Sequence, residues 1–292
     1  MGVAVQSHYF SVGSAVSWAR AGVGAVATQA MLDVRYGPLG LELMAAGMSA
    51  PGALRALLAA DTKPEHRQVA MVDSKGLVAS HTGKKCIPEA GSAVGGGVSC
   101  QGNIMKSRRV WTEMRRAFES SPALPLKERL MRALEAGEGA GGDLRGRQSA
   151  AMVVVGPKAS PNRWEGRLVD LRVEDHPDPL KEMRRLLRYH EGYGWVDQGD
   201  DRLSSGKMDD ALAAYSKGMK LVPEVLELKY WVAIGLVSSG RDRARGVRML
   251  KEVCAEDRNW VRVTRGLVKT GVSALDPSVL RQISRSRPLR SA

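Results

Sequence analysis

Short runs of apolar residues divide the first 180 positions into strand-like and helix-like stretches that come in pairs. Seven runs have strand character and end at turn residues: 2–6, 22–28, 67–73, 77–81, 98–104, 148–155 and 167–173. Four stretches have apolar residues at helical spacing: 38–47, the stretch after Ser49, 110–118 and 126–134. Ser49 is the predicted N-cap of its helix.

The order of these elements predicts the fold class. Paired strands alternate with paired helices, whereas a doubly wound parallel sheet needs a single helix between successive strands. The sequence therefore predicts an α+β fold in which antiparallel sheets are covered by layers of helices. The Pro-Asp-Pro motif at 177–179 then predicts a change of domain, with Asp178 as N-cap and Pro179 in the first helical turn.

Beyond position 180 the pattern is helical to about residue 270, and part of it resembles a tetratricopeptide repeat. Aromatic, small and proline residues stand at the spacing of that repeat: Trp195, Gly199, Gly206, Ala211, Tyr215 and Pro223. Trp231 and Gly235 indicate a second, weaker unit. Roughly three repeats are needed for a free-standing solenoid. We therefore expect this region to pack on the first domain or on another copy of it, which leaves a protein partner or a homo-oligomer open.

Composition excludes several classes of protein. The 292 residues are 43% hydrophobic and 26% charged, which is ordinary for a folded soluble domain. We expect no membrane span and no secretory signal, because the chain has no long apolar run and no basic, apolar leader. Three distant cysteines and five scattered histidines predict neither a disulfide framework nor a metal site. We expect a cytoplasmic protein without a cofactor.

The net charge of +13 is concentrated towards the C-terminus. Thirteen Lys and Arg residues and five Asp and Glu residues fall between 241 and 292, a net charge of +8. Such a tail can bind nucleic acid, an acidic partner or an anionic surface, but it is most often a solvated surface. Nucleic acid is not the expected partner, because 284–292 contains no aromatic residue to stack on bases.

Several polar residues are candidates for a binding or catalytic site. Ser7 and His8 follow the first strand, and His81 ends a hairpin strand; loop and structural roles compete with a site role for all three. In the segment 101–103, the side-chain amide of Asn103 is a candidate oxyanion donor. The alternative for that segment is a tight turn with a left-handed Asn.

The segment 141–149 is the strongest site candidate, because three glycines, one acid and two guanidinium groups precede a strand. Arg145 or Arg147 could clamp a substrate carboxylate, and Asp143 could orient an amine or pair with one arginine. Gln148 completes the predicted substrate-binding set. The alternative is a glycine-rich turn stabilised by an Asp–Arg ion pair. Under the site interpretation, if a full-length version of the protein hydrolyses an amide, changing either arginine to Met costs about 10-fold or more in kcat/KM.

Longer motifs run through the first 180 residues in a fixed order: 2–29, 36–40, 66–68, 81–83, 101–103, 141–150 and 169–179. Together they resemble an uncharacterised family, the domain of unknown function numbered 1028, which belongs with the N-terminal nucleophile (Ntn) hydrolases. The resemblance implies a four-layer α-β-β-α sandwich. It also implies amide hydrolysis by the side chain of the first residue of a mature chain, with the α-amine of that residue as the base.

No residue of this sequence matches the nucleophile that the resemblance implies. Relatives begin earlier, with a strand ahead of the one at 2–6, so the first strand is expected to be missing here. A misplaced start codon is the favoured explanation and loss of the nucleophile the alternative. We expect the chain as given to express poorly or to associate through an open sheet edge.

The sequence thus predicts three regions and two functions. The regions are an Ntn-hydrolase-like domain (1–178), a tetratricopeptide-like helical region (179–272) and a basic tail (273–292). The first function is hydrolysis of a small or peptide-like amide, with Asn103 as oxyanion donor. The second is a non-catalytic scaffold whose helical region recruits a peptide partner. A nucleic-acid binder rests on the tail alone.

Overall fold

A computed structural model describes residues 1–162, 164–271 and 275–284. The chain divides into two compact units, Met1–Leu186 and Leu187–Ala292, and the division falls inside a long helix. Strands and helices alternate in the first unit, whereas the described part of the second unit is helical. The mixed α+β composition predicted from the sequence is confirmed.

The strands of the first unit pair antiparallel throughout the described residues, as the paired order of elements predicts. They are β1 (Gly2–Ser7), β2 (Ser17–Arg20), β3 (Gly24–Ala30), β4 (Arg67–Asp73), β5 (Val78–Thr82), β6 (Gly91–Gly95), β7 (Val98–Gly102), β8 (Ser149–Val155) and β9 (Arg167–Val173). Three sheets result, with orders β1-β8-β9, β2-β3-β4-β5 and β6-β7.

The hydrophobic pattern misses two of these strands, β2 and β6. Both are short, and β6 has glycine at each end, so neither shows a clear run of β-branched residues. The β6 strand forms because a tight glycine turn closes it against β7. The strand predicted at 22–28 begins later, at Gly24, because Gly22 adopts a φ of 68° in the turn from β2 to β3.

Helices pack on the sheets of the first unit from two sides. α1 (Tyr36–Ala45) and α2 (Ala50–Ala60) pack on the β2–β5 sheet. α3 (Arg109–Glu119) packs on β6 and β7, while α4 (Leu126–Gly139) packs on β1 and β8. The β1–β8–β9 sheet also contacts β2 and β3, through a buried cluster that includes Val3, Ala25 and Val153.

The carboxylate of Asp73 joins helix α2 to the β4–β5 hairpin. Its Oδ2 accepts from the Ala50 N–H at 2.9 Å, and its Oδ1 accepts from the N–H groups of Lys75 and Leu77 at 2.9 and 3.0 Å. Ser49 caps α2 as predicted, because its side chain accepts from the backbone N–H of the first turn.

A buried ion pair anchors the start of β4. Arg67 donates from Nε to Asp61 Oδ2 at 2.7 Å and from Nη2 to Asp61 Oδ1 at 3.3 Å, and its Nη1 donates to Met31 O at 2.6 Å. The side chains of Arg67 and Asp61 are 10% and 4% exposed. Tyr36 also donates its hydroxyl to Asp61 Oδ2, at 2.9 Å. Helix α1, the end of α2 and the start of β4 therefore meet at one carboxylate.

The second unit holds the C-terminal part of α5 (Pro179–Ser204) and further helices: α6 (Met208–Leu221), α7 (Leu226–Ser238), α8 (Arg243–Glu256), α9 (Asn259–Thr270) and α10 (Pro277–Ser284). Asp178 Oδ1 accepts from the Lys181 N–H at 3.2 Å, which confirms Asp178 and Pro179 as the start of α5. Of the tail predicted at 273–292, only 275–284 lies within the described residues, and α10 lies there.

Close packing of α5 against α6 is centred on Tyr215, which is fully buried. Its ring lies over Gly199, where a Cβ would stand 2.3 Å from the ring, so a larger residue is excluded there. Its hydroxyl donates to Asp200 Oδ1 at 2.6 Å. Ala211 is also fully buried, and Gly206 has a φ of 77° between the two helices. In the described residues, no helix is long and apolar enough to cross a membrane.

Candidate functional site

Two cavities lie along a cleft between β1 and β7. The first, of about 260 Å³, is bordered by residues 1–4 and 97–100 and is mostly apolar. The second, of about 220 Å³, is bordered by residues 4–7 and 99–105. We call them the apolar cavity and the polar cavity. Cys100 lines both of them, so they are neighbouring parts of one cleft.

The polar cavity brings together four of the residues singled out in the sequence: Ser7, Asn103, Asp143 and Arg145. Asp143 lies at the centre and is 3% exposed. Arg145 donates to both of its oxygens, from Nε at 3.0 Å and from Nη2 at 2.7 Å. The Ser7 hydroxyl is 3.4 Å from Asp143 Oδ2 and 3.4 Å from Arg145 Nη2. The loop 141–149 and the end of β1 therefore form one hydrogen-bonded group.

The Asp143 carboxylate stays ionised although it is buried. Burial by itself raises the pKa of this carboxyl group. Hydrogen bonds from the Arg145 side chain and from the backbone N–H groups of Arg145 and His8 outweigh that effect, so the pKa lies below its usual range. Asp143 and Arg145 thus form the ion pair that the sequence analysis gave as the alternative to a binding site, and both residues also line the cavity.

A chain of amide side chains, of which the sequence analysis named Asn103, lies at the polar cavity, and Gln29, Gln101 and Asn103 line it. Gln68 Oε1 accepts from Gln29 Nε2 at 2.8 Å and from Asn103 Nδ2 at 3.2 Å. Gln101 Nε2 lies 3.3 Å from Gln29 Oε1. Gln68 is fully buried and its own Nε2 donates to Gly102 O at 2.9 Å. These contacts hold the Asn103 amide at the cavity through one of its two N–H groups.

Three buried polar atoms around the polar cavity have no hydrogen-bond partner among the described residues: Gln6 Nε2, Ser99 Oγ and Glu138 Oε2. They come from β1, β7 and α4. Buried polar groups are nearly always paired, so these three atoms are exceptions among the residues that line the cavity. The set offers a donor, a hydroxyl and a carboxylate oxygen.

The other predicted site residues lie elsewhere. His81 lies on β5, and its Nε2 is 2.8 Å from Pro64 O. His8 Nδ1 is 3.3 Å from Arg147 O. Arg147 donates to Glu138 Oε1 at 2.6 Å and does not line the cavity. The Gln148 carbonyl accepts from the His176 N–H at 2.8 Å.

The alternative that placed Asn103 in a left-handed conformation is wrong, because the left-handed residue is the next one. Ile104 adopts a φ of 58°, and Asn103 does not have a positive φ. The Ile104 carbonyl accepts from the Leu144 N–H at 2.8 Å, and its N–H donates to Ile87 O at 3.3 Å. The strained residue therefore holds the loop 141–149 against the end of β7, next to the cavity.

The structure separates the two arginines that the sequence treats alike. Arg145→Met removes a guanidinium that lines the polar cavity. If a longer form of the protein that carries a nucleophile ahead of Gly2 hydrolyses an amide, we expect this change to lower its kcat/KM by about 10-fold or more, as for a lost charge-assisted hydrogen bond. Arg147→Met serves as the control and is expected to change kcat/KM by less than about 3-fold. Steady-state kinetics on both variants tests this. Equal losses would contradict the assignment of the cavity.

Comparisons with known proteins agree on the first unit. The model of a family of unknown function, DUF1028, matches residues 1–183. A solved structure, protein SPO2555 from Silicibacter pomeroyi with the same DUF1028 family model, has 29% sequence identity and a TM-score of 0.57. The match covers 64% of this chain and 81% of that one. No curated protein matches the chain. The family match spans every residue that lines the polar cavity.

Proposed function

The chain belongs to the DUF1028 family, and we propose that its first unit is an Ntn-type amidohydrolase with a four-layer α-β-β-α sandwich. The contacts between elements support four successive layers. The first layer is α3 and α4, the second is β1, β8 and β7, the third is the β2–β5 sheet, and the fourth is α1 and α2. The substrate is a small or peptide-like amide.

One observation carries this proposal: the cleft between β1 and β7 leads into a polar cavity. In Ntn hydrolases, the first residue of a strand supplies both the nucleophilic hydroxyl or thiol and the amine that takes its proton. A strand that fills the cleft with its amino end towards Ser7 and Asn103 would bring such a residue into the polar cavity. Burial there lowers the pKa of an amine and favours its neutral, proton-accepting form.

The residues of the cavity match the steps of amide hydrolysis. The hydroxyl oxygen attacks the amide carbon while its proton passes to the α-amine, and the free N–H of Asn103 donates to the oxyanion. The C–N bond then breaks, the amine product takes the proton, and water hydrolyses the acyl-enzyme. Asp143, held by Arg145, orients the amine or a substrate N–H. Arg145 also places positive charge beside a substrate carbonyl or carboxylate.

The proposal is tested by joining a strand and a tight turn ahead of Gly2. In one protein, the residue exposed after methionine removal is Thr; in the control it is Ala. We expect a β-lactone probe to acylate residue one of the Thr protein, and that protein to hydrolyse members of an amide library. The Ala protein should do neither. A folded Thr protein that is labelled no faster than the Ala protein would refute the proposal.

We further propose that α5 and α6 form a tetratricopeptide-like hairpin that binds a protein partner. Tyr215 over Gly199, buried Ala211 and the positive φ of Gly206 support the assignment, because they hold two antiparallel helices close together. The second unit would then recruit a protein, and the first unit would carry the chemistry.

A further inference from the structure

The outer edge of β9 lies on the opposite side of β8 from β1. The order of this sheet is β1-β8-β9, so within the described residues β9 pairs with another strand on one side only. A strand at the edge of a sheet presents N–H and C=O groups to which a further strand can add. The partner that fits this edge can be inferred from its hydrogen-bonding groups and its charges.

The hydrogen bonds of the sheet show which groups of β9 point outwards. Met1 and Val155 exchange two backbone hydrogen bonds, of 2.9 and 2.8 Å, so Val155 and alternate residues of β8 bond to β1. The residues of β8 between them bond to β9, and their partners in the register are Val169, Leu171 and Val173. Asp170 and Arg172 therefore direct their backbone groups away from β8.

The open stretch of this edge is short. The Glu174 carbonyl accepts from the Ser11 N–H at 2.9 Å, and Leu168 already makes an interaction of its own. Between these two residues, the backbone groups of Asp170 and Arg172 have no outward hydrogen-bond partner in the part of the chain that the structure describes. The open stretch thus offers two donors and two acceptors.

A second β9 strand, antiparallel to the first, satisfies all four groups in a single register. Asp170 of each copy then pairs with Arg172 of the other, about a two-fold axis at Leu171. Moving one strand by two residues places Asp170 opposite Asp170 and Arg172 opposite the engaged Leu168. The opposite shift places Arg172 opposite Arg172 and Asp170 opposite the engaged Glu174. Only the register centred on Leu171 uses every free group.

The charges select the same register. Asp170 and Arg172 are both exposed, and within one chain Asp170 already accepts from Arg167 and lies 3.9 Å from Arg172 Nε. Charged residues on a strand edge usually prevent strand addition. Here the register centred on Leu171 places opposite charges directly across from each other twice, and such pairs stabilise a sheet, whereas like charges destabilise it.

Two exposed apolar side chains lie at the start of the same edge. Trp164, in the turn before β9, is 73% exposed, and Leu168 is 56% exposed. The antiparallel register brings the start of one β9 strand beside the end of the other, so part of this apolar surface is covered when two copies meet. Exposed apolar surface beside charged residues is typical of an interaction site.

We propose that the partner of this edge is a second copy of the chain, which adds antiparallel through β9 and joins two three-stranded sheets into one sheet of six strands. A single strand edge is at the small end of protein interfaces, so we expect a dissociation constant on the order of 10 μM. The inference uses neither the cleft nor a catalytic step, so its failure and the failure of the proposed function are separate results.

Reversing the charges tests the register. Asp170→Arg and Arg172→Asp each create two like-charge pairs across the axis, and we expect each to weaken dimerisation at least about 10-fold in sedimentation equilibrium. In an equimolar mixture of the two variants, a copy of one meets opposite charges on a copy of the other, so dimers should return. The double variant Asp170→Arg/Arg172→Asp should dimerise like the parent.

Two substitutions elsewhere make the same charge changes. Asp209→Arg and Arg248→Asp lie at exposed positions on α6 and α8, and we expect both to dimerise like the parent. A parent chain that remains monomeric to about 100 μM would overturn the proposal. So would equal dimerisation by the β9 variants and these controls, or a mixture of the two single variants that stays monomeric.

Cross-linking at the axis tests the geometry independently of charge. In this register the two Leu171 residues form a non-hydrogen-bonded pair with Cα atoms about 4.5 Å apart, which is within the range of a disulfide. The native cysteines are buried. We expect Leu171→Cys to give a disulfide-linked dimer in oxidised glutathione. Leu77→Cys, at a 48% exposed position in the turn before β5, should not. Equal cross-linking of the two variants would overturn the proposed register.

Discussion

Replacing Asp61 by Ala is expected to destabilise the first unit by about 3 kcal/mol, which is the lower end of the cost of breaking a buried ion pair. The change leaves the Arg67 guanidinium buried, with Met31 O as its remaining hydrogen-bond acceptor and the Asp33 carboxylate, 3.8 Å from Nη2, as its remaining ionic partner. It also removes the acceptor of the Tyr36 hydroxyl. Urea unfolding followed by circular dichroism measures the loss. Glu113→Ala removes a carboxylate that lies 3.8 Å from two exposed arginines, and it should cost no more than about 1 kcal/mol.

The same carboxylate makes the stability of the first unit depend on pH. Hydrogen bonds from Arg67 hold the pKa of Asp61 well below its usual range, against the opposing effect of burial. The folded-state pKa is therefore below the unfolded value of about 3.9. The resulting stabilisation is complete above that value and is lost as the pH falls towards the folded-state pKa. We expect Asp61→Ala to unfold with a smaller difference between pH 7 and pH 3 than the parent protein. An equal difference would assign the pH dependence to other groups.

Replacing Ala211 by Glu is expected to unfold most of the second unit. Ala211 is fully buried in an apolar cluster with Tyr215, Leu228 and Leu236, so a carboxylate at this position would be taken out of water. The cost of burying such a group is about 4 kcal/mol or more, which corresponds to a fall in melting temperature of at least about 15 °C for a unit of this size. Differential scanning calorimetry resolves the change.

Ala213→Glu supplies the control for this prediction. Ala213 is exposed on the same helix, two residues further on. The substitution adds the same charge and side-chain volume without burying them, so we expect a change within about 0.5 kcal/mol. If Ala211→Glu melted at the temperature of Ala213→Glu, the helix pairing proposed for α5 and α6 would be wrong.

The sequence predicts which segments form helices and strands better than it predicts which of those elements pack against one another. The helix predicted at 126–134 is real because leucines recur at helical spacing, and it extends to Gly139. The strand predicted at 167–173 matches β9 at both ends. By contrast, β6 has almost no signal of its own, since its pairing with β7 and the packing of α3 stabilise a glycine-rich segment. Periodicity reports burial of a face, and β6 has little side chain to bury.

The sequence singled out Ser7, Asn103, Asp143 and Arg145 as candidates, but it predicted a contact only between neighbours in one loop. Asp143 and Arg145 share one loop, and their pairing follows from their spacing. In the amide chain from Gln29 through Gln68 to Asn103, the first two residues are partners in the antiparallel register of β3 and β4. Asn103 follows β7, which belongs to another sheet, so only the tertiary fold brings it to Gln68. Nothing in the local pattern around Gln68 distinguishes it from any other polar residue at a strand start.

Cys100 gives the cleft a chemical property that matters for the design of covalent inhibitors. Cys100 lines both cavities, so its thiol is a second group with which an electrophile in the cleft could react. Burial, with a smaller effect from the charge of Glu119, raises the pKa of this thiol to about 12. The thiolate is the form that reacts with alkylating reagents and peroxides. At neutral pH the Cys100 thiol is therefore almost entirely protonated and reacts slowly. Covalent labelling by an electrophilic inhibitor in the cleft would therefore measure the reactivity of an added hydroxyl nucleophile, without competition from the Cys100 thiol.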